Sequence, residues 1–555
     1  MEKDSEGTQV AGGESGGLPP HPEEIYLAEK KKRRPIDWRR TCFLLLGVGL
    51  FFAVYLSPSW PAAIDPQGQV FQLSEQAKAA LGLFLLAATW WVFEVVPIGV
   101  TSIFIGAVQA MFLIRPDKYV IPKEAVHSVG GKLTVDAQAL EQLLEANPSA
   151  LEVVQGTWIA FTDFLAPSVW FIFGSIIFGL CFSQTGLAKR TAYKMLSLVG
   201  ERTSMILLGC FVMTSLLTHV MAHTAVAAAL YPLLMAIYTL YAGDDDKPTR
   251  FGKNLFMGMA YVAGAGSICT LLGAARGAVA IGFYKEIVGR EVGFFELSYY
   301  MLPVGWAMTF ILWGFMMVAL KPEQRTIPGL KARAATLYAR LGPMKANEKL
   351  TLIIVFSAIA IMSVKKYIPF LEPVNKSAII LTACVLLFVF KILSLKDLEG
   401  VPWNIILLFG GAMSTGYCLW QTGAAEWMAI QWLVLFQNAP WFVFVFGTAL
   451  FVLVMTNLIM NVAAIAISLP VSLVIAPYLG VTPDVVIFCA LVVAGMPFLL
   501  LVGAAPNAIA YESKQFTSGE FFLYGIPASA ILMLVLAVFV HFIWPAMGMP
   551  VTIPR

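Results

Sequence analysis

Charge is scarce in this chain. Only 13% of its 555 residues are Asp, Glu, Lys or Arg, against 59% hydrophobic, and such a composition carries more apolar surface than one water-soluble core can hide. A soluble globular protein is thereby excluded, and the mean hydropathy of +0.77 points to a polytopic membrane protein. Histidine is scarcer still, at 5 residues. No His/Asp/Glu or Ser/Lys cluster has the spacing of an acid/base or nucleophile set, which argues against an enzyme. The 7 cysteines (Cys42, Cys181, Cys210, Cys269, Cys384, Cys418, Cys489) lie mostly inside apolar runs, without CxxC or Cys/His pairing. They read as packing residues, not as a disulfide or metal framework, and no cofactor is implied. No cleavable signal peptide is visible near the start. A continuous polar stripe through several spans, which a channel needs, is also missing.

What is present is a succession of apolar runs punctuated by basic loops. Residues 1–40 are rich in Gly, Glu and Pro and end in Lys30-Lys31-Lys32-Arg33-Arg34 and Arg39-Arg40, directly before the first apolar run. They read as a disordered cytoplasmic tail with a basic membrane anchor. A nucleic-acid-binding arm fits that position beside a span less well, so no nucleic-acid partner is expected. A first transmembrane helix and its loop occupy 41–74. Runs follow at 75–97 and 98–115, then a polar, mixed-charge insertion over 116–155, with a helical look at Asp136–Glu145. With the N-terminus inside, this insertion is extracytoplasmic.

A span over 157–187 leads to Lys189, Arg190, Lys194 and Arg202, and two apolar arms over 203–241 lead back to Lys247, Arg250 and Lys253. Basic residues on both flanks favour a re-entrant hairpin over a single span. A span over 254–285 is broken at Gly273-Ala274-Ala275-Arg276-Gly277, and another over 299–320 delivers the chain to a basic cytoplasmic linker, 321–348. The succession then repeats over 349–545. Spans at 349–365, 376–394 and 401–424 precede a hairpin at 439–478, a span at 482–515 broken at Gly503-Ala504-Ala505-Pro506-Asn507, and a final span at 520–545. The expected fold is all-α, with eleven transmembrane helices plus two re-entrant hairpins and the C-terminus outside.

The halves echo each other in residues. Thr456, Asn461 and Pro470 repeat the spacing of Thr218, His223 and Pro232, and Gly174–Gly186 and Gly411–Gly423 both end in Gln-Thr-Gly. An odd number of spans gives the repeats, 75–320 and 349–545, opposite topology. Inverted repeats with paired interrupted helices point to a secondary transporter whose site lies near the bilayer midplane.

Three motifs carry a resemblance to a known family: Trp90-Trp91-Val92-Phe93-Glu94-Val95-Val96-Pro97, similar to Trp-Trp-x-Thr-Glu-x-x-Pro; the hairpin motifs, usually Ser-Asn-Thr-Ala; and Gly503-Ala504-Ala505-Pro506-Asn507-Ala508, similar to Gly-Thr-Pro-Pro-Asn-Ala. From 75 to 545 the chain resembles the divalent anion/sodium symporters, which carry di- and tricarboxylates or sulfate. The resemblance implies an elevator-type homodimer in membrane lipid, with a transport domain holding both hairpins and a scaffold supplied by the first spans and those near 299–394. It also implies a sodium ion clasped by each hairpin tip and its neighbouring helix break, with the anion between the tips. Carried over, the second ion site uses Thr456, Asn461 and carbonyls near Met460, Ala494 and Gly503, with Asn507 in the break. The first uses Thr218, His223 and Gly273, but departs from the pattern: Ala222-His223-Thr224 stands for Ser-Asn-Thr, and Arg276-Gly277 for Pro-Asn. Thr224, Arg276, Asn461, Val462 and Asn507 are the expected anion-binding residues.

The expectation is a secondary active transporter of a small divalent anion in a bacterial inner (plasma) membrane. One sodium site is kept, and the other is replaced by Arg276 and His223. A sodium-independent anion exchanger and an anion channel are the alternatives. An intramembrane arginine points to function by default, with snorkelling to an interface as its plainer explanation. His219 and His223, four apart, would share one helical face, and without a third ligand they read as satisfied or pH-responsive histidines more readily than as a metal pair. Glu94, Asp163 and Lys391 read as structural residues near span ends.

Overall fold

The computed structural model describes residues 38–64, 70–93, 95–120, 126–129, 132–135, 152–243, 247–436 and 440–553. Most of the N-terminal tail, Glu94 and the helix expected at Asp136–Glu145 lie outside them. The first half holds α1 (Trp38–Tyr55), α2 (Glu75–Val92), α3 (Ile98–Met111), α4 (Gly156–Thr162), α5 (Pro167–Thr185), α6 (Leu187–Val199), α7 (Thr203–Leu217), α8 (His223–Ala242), α9 (Arg250–Ser267), α10 (Arg276–Val288) and α11 (Phe294–Ala319). α12 (Leu330–Arg340) lies in the linker. The second half holds α13 (Ala346–Val364), α14 (Lys376–Val389), α15 (Trp403–Gln421), α16 (Ala424–Phe436), α17 (Trp441–Leu458), α18 (Asn461–Tyr478), α19 (Pro483–Ala494), α20 (Ala505–Tyr511) and α21 (Ser518–Val538).

The described part of the insertion is not helical. Lys118–Val120 pairs antiparallel with Glu152–Val154, closing the excursion at its neck, and Val126–Val129 pairs with Lys132–Val135.

The protein is an integral membrane protein. Among the described residues, 8 helices are long and apolar enough to cross a membrane, where eleven spans plus two hairpins are expected. Three of the eight are hairpin arms (α8, α17, α18), and five coincide with expected spans. The other expected spans are cut by a break, as at α9/α10 and α19/α20, or fall short in length or hydropathy.

Each element from α5 to α11 has a counterpart ten labels later. α5 and α15 are both 19 residues long, and α6 and α16 both 13. The Gln-Thr-Gly echo acquires a physical reason here. Gly186 (φ 83°) and Gly423 (φ 79°) take the left-handed conformation in which a Cβ is strained, and so end one helix and turn the chain into the next. Proline is the tenth residue of α8, α18, α11 and α21 (Pro232, Pro470, Pro303, Pro527). α11 and α21 both carry Glu at the third position, and Glu520 closes a capping box with Thr517.

Two sets of ties fix where the hairpins begin and end. At the linker, Glu323 accepts from the Arg250 N–H (2.6 Å) and the Tyr241 hydroxyl (2.8 Å), while Thr203 Oγ1 donates to Gln324 O (2.9 Å). Burial pushes the Glu323 carboxyl up, but these N–H and O–H donors outweigh it and hold it below its ordinary value. The buried pair Arg190–Glu348 (2.8 Å) joins α6 to α13 on the same loops. The flanks of the second hairpin meet the C-terminus instead: Ile553 N donates to Gly480 O (2.8 Å), and His541 lies 5.1 Å from the Trp441 ring.

Asp163 is more than a residue at a span end. It is buried and pairs with Arg115 at 2.6 Å. The same guanidinium donates to Gln421 Oε1 (3.0 Å) and Ser414 O (3.1 Å), pinning the insertion's neck to α15. A buried ion pair of this kind holds only when further hydrogen bonds compensate the lost hydration.

Candidate functional site

The hairpins and the breaks are exchanged between the halves. α10, after the first break, packs on α18 of the second hairpin, while α20, after the second break, packs on α8 of the first. Both turns and both breaks therefore converge on one cavity of about 410 Å³. Of the expected site residues, His223, Thr224, Met460, Asn461, Val462 and Gly503 line it. Thr218, Gly273, Arg276, Thr456, Ala494 and Asn507 do not; they are buried behind the lining. The first turns of α8 and α18 line the cavity at Thr224, Ala225, Asn461 and Val462. The leading N–H groups of a helix have no acceptor within it, so two positive helix ends meet there. Asn461 is 6% exposed, and its amide has no hydrogen-bond partner among the described residues. An amide that faces a cavity can offer its N–H and C=O groups to a ligand.

At the second break Thr456 meets Ala494 and Gly503. Thr456 Oγ1 donates to Ala494 O (3.1 Å), and a Cβ on Gly503 would stand 2.7 Å from Thr456 O, so only glycine permits this approach. The Asn507 amide donates to Pro497 O (2.9 Å) and Leu500 O (3.2 Å). Asn457, not singled out in the sequence, works from the other side: its Oδ1 accepts from the N–H groups of Leu499 (2.7 Å) and Leu500 (3.2 Å). The result is a set of neutral oxygens, the donor type a hard monovalent cation prefers.

The first break is built differently. Residues 218–222 form a turn, so His219 and His223 share no helical face. The His219 ring lies edge-on to Trp306 at 5.7 Å, while His223 addresses Gly273 O twice, from its backbone N–H (3.0 Å) and from Nδ1 (3.3 Å). Gly273 O thus takes contacts from His223, as Ala494 O takes one from Thr456 at the second break. Arg276 stands behind the lining. It is 2% exposed, and Nη2 donates to Ser267 Oγ (2.7 Å) while Nη1 has no partner among the described residues. A Cβ on Gly495 would lie 2.6 Å from Nη2, so the guanidinium fills the space between the first break and the end of α19 and does not line the cavity.

Two interrupted helices and two hairpins surround this one cavity, a setting that membrane transporters use. The family model described as sodium:sulfate symporter transmembrane region matches residues 64–550; the chain belongs to this family. It is 24% identical over 551 residues to the sodium-dependent dicarboxylate transporter SdcS of Staphylococcus saprophyticus, covering 96% of each chain. It is 23% identical over 541 residues to SdcS of Staphylococcus aureus, covering 94% of each. Among solved structures, the fold is similar to that of the Alcanivorax borkumensis YdaH transporter (TM-score 0.50, 12% identity, 84% of this chain and 99% of that one).

Proposed function

We propose that the chain is a sodium-coupled secondary transporter of a small divalent anion, working by alternating access as an elevator-type homodimer in a bacterial plasma membrane with its N-terminus inside. The observation that carries this reading is Asn461, an unpartnered amide at a helix end in the cavity between two hairpin turns. The relatives' sodium dependence and dicarboxylate substrate support the ion and the charge class. Sodium binds at Thr456, Asn461 and Gly503, where neutral oxygens converge. At the other break, Arg276 supplies a fixed positive charge and His223 occupies the carbonyl an ion would use. Anion exchange without sodium is the second reading, favoured by that same fixed charge. Uptake into proteoliposomes from a panel of anions, with and without a sodium gradient, separates the two. Asn461→Ala is expected to lower uptake at least tenfold while folded protein remains in the membrane; unchanged kinetics would remove Asn461 from the site.

Opposite topology of the halves is part of the proposal. It is supported by the different ends at which the hairpin flanks are tied, Glu323 for the first and the C-terminus for the second. Single cysteines at Lys194 and Gly480 are expected to react with an impermeant thiol reagent from opposite sides of the membrane. Labelling of both from one side would refute the inversion.

A further inference from the structure

A second, smaller cavity of about 160 Å³ stands on the same helices as the cavity between the turns. On α5 it takes Pro167, Ser168 and Phe171, where the larger cavity begins at Ile172. On α10 it takes Ala278 and Ile281, just past Ala274 and Ala275 of the larger one, and on α15 it takes Tyr417, beyond Phe409. The two cavities therefore lie end to end along α5, α10 and α15. Phe171, Leu271, Ala278 and Ile281 are buried and floor the small one, whereas its rim of Lys285, Glu286, Glu291 and Asn375 is exposed. α5 runs from the neck of the insertion to the basic α6, so under the proposed topology the mouth opens on the extracytoplasmic side.

Two lysines in this lining share one carboxylate. Lys376, the first residue of α14, is 8% exposed; its Nζ donates to Val292 O (2.8 Å) and lies 2.9 Å from Glu291 Oε1. Lys285 Nζ is 3.5 Å from Glu291 Oε2. Burial pushes the Glu291 carboxyl up, but Lys376, Lys285 and Lys365 outweigh it and hold it below its ordinary value. Glu291 sits between Gly289 (φ 77°) and Gly293 in the coil that joins α10 to α11. It also lines a wider cleft of about 440 Å³ that contains Lys365, so the carboxylate has space to swing into and another cation to meet there. Lys376 has no such freedom, and a buried ammonium is costly without an anionic partner. We propose that the small cavity is an anion-binding vestibule, in which Glu291 holds the place of a carboxylate or sulfate group from solution and gives way to it. The inference rests on the proposed transport of an anion and adds where that anion is first held. Exchange of one anionic group for another keeps both lysines paired, one layer of side chains above the cavity between the turns.

The test follows a single reactive cysteine, Ser168→Cys on the vestibule wall, in the full-length protein in lipid nanodiscs. Cys42 is replaced by Ser, and the other native cysteines are buried. The probes are methanethiosulfonates carrying a sulfonatoethyl, a trimethylammonioethyl or a neutral methyl group. Glu291→Gln is expected to raise the sulfonate-to-ammonium rate ratio about tenfold, and Lys285→Gln to lower it, with the neutral rate unchanged in both. Succinate and sulfate are expected to slow the neutral reagent, and to do so at about tenfold lower concentration in Glu291→Gln, where no internal carboxylate competes. An ion pair with a purely structural role predicts no protection by either anion. That result in both proteins, or an unchanged protecting concentration in Glu291→Gln, overturns the vestibule whatever is found for uptake. Absence of sodium-dependent uptake for every anion overturns the transport reading instead, and leaves an anion site at the rim.

Discussion

Arg276→Met is expected to abolish the proposed sodium-driven anion uptake and at the same time to raise the melting temperature of the purified protein. The two effects have one origin. Arg276 is 2% exposed, one of its terminal nitrogens has no partner among the described residues, and the other donates to a neutral hydroxyl, Ser267 Oγ. Withdrawing an ion from water costs several kcal/mol even after the protein relaxes, and a hydrogen bond from a charged group returns only about 1.5–3 kcal/mol. The folded protein therefore carries a net penalty at this residue, and a methionine of similar reach removes it. On the proposed function, what is lost is compensation for an anion entering a low-dielectric site: a fixed charge that cannot be neutralised at physiological pH. Uptake is expected to fall about 100-fold or more, a trade of activity for stability common at functional sites. Thermal melts and proteoliposome uptake on matched protein decide it. If Arg276→Met transports with unchanged affinity and sodium dependence, the arginine does not stand in for an ion.

Asn457→Ala is expected to act in the opposite direction on stability and to stop transport as well. Asn457 is 2% exposed, and its single Oδ1 accepts from two consecutive backbone N–H groups, those of Leu499 and Leu500, which the second break leaves without helical acceptors. Leaving a buried donor unsatisfied costs about 1–3 kcal/mol, so truncation should destabilise the protein by roughly 2–5 kcal/mol and loosen the coil that presents Gly503. Asn507 binds that coil from its other side through Pro497 O and Leu500 O, so the effects of Asn457→Ala and Asn507→Ala should be non-additive. A melting temperature for Asn457→Ala within one degree of the parent would show that the break holds its shape without this amide.

The hairpins and breaks were legible in the sequence because polar residues and Gly-Ala runs stand out in apolar segments, and the backbone there has to be satisfied somehow. Partnerships across long separations were not. Asn457 sits beside Thr456 in the motif, but its task depends on N–H groups 42 and 43 residues away. Asp163 read as a span-end residue because neither Arg115 nor Gln421 is near it in sequence. Ser175 and Ser183 lay inside the Gly174–Gly186 echo, which was noticed for its spacing and not for what it lines. The histidine pair misled because four-residue spacing means a shared face only where the chain is helical, and 218–222 is a turn. α6 was hidden by its amphipathic, basic sequence, which reads as a loop to a scan for apolar runs.

The two turns are fastened at different depths. The first is held at its tip, by His223 on Gly273 O and by Thr270 on His219 O at 2.8 Å. The second is held a full turn earlier, by Thr456 and Asn457, and among the described residues no hydrogen bond joins 458–463 to 495–505. Ile459–Met460 is therefore tied to α17 and α18, through Ile459 N–H on Met455 O (2.9 Å) and Ala464 N–H on Met460 O (3.1 Å), and not to its break, whereas the first turn is bonded directly to its break. Opening of the kind that releases cargo in many transport and catalytic cycles is set by such local thresholds. Exit past the second turn should be the quicker step and exit past the first the slower one. Under the proposed opposite topology, the ties at the first turn set how long cargo waits on that side, while the gradients set the direction of net flow.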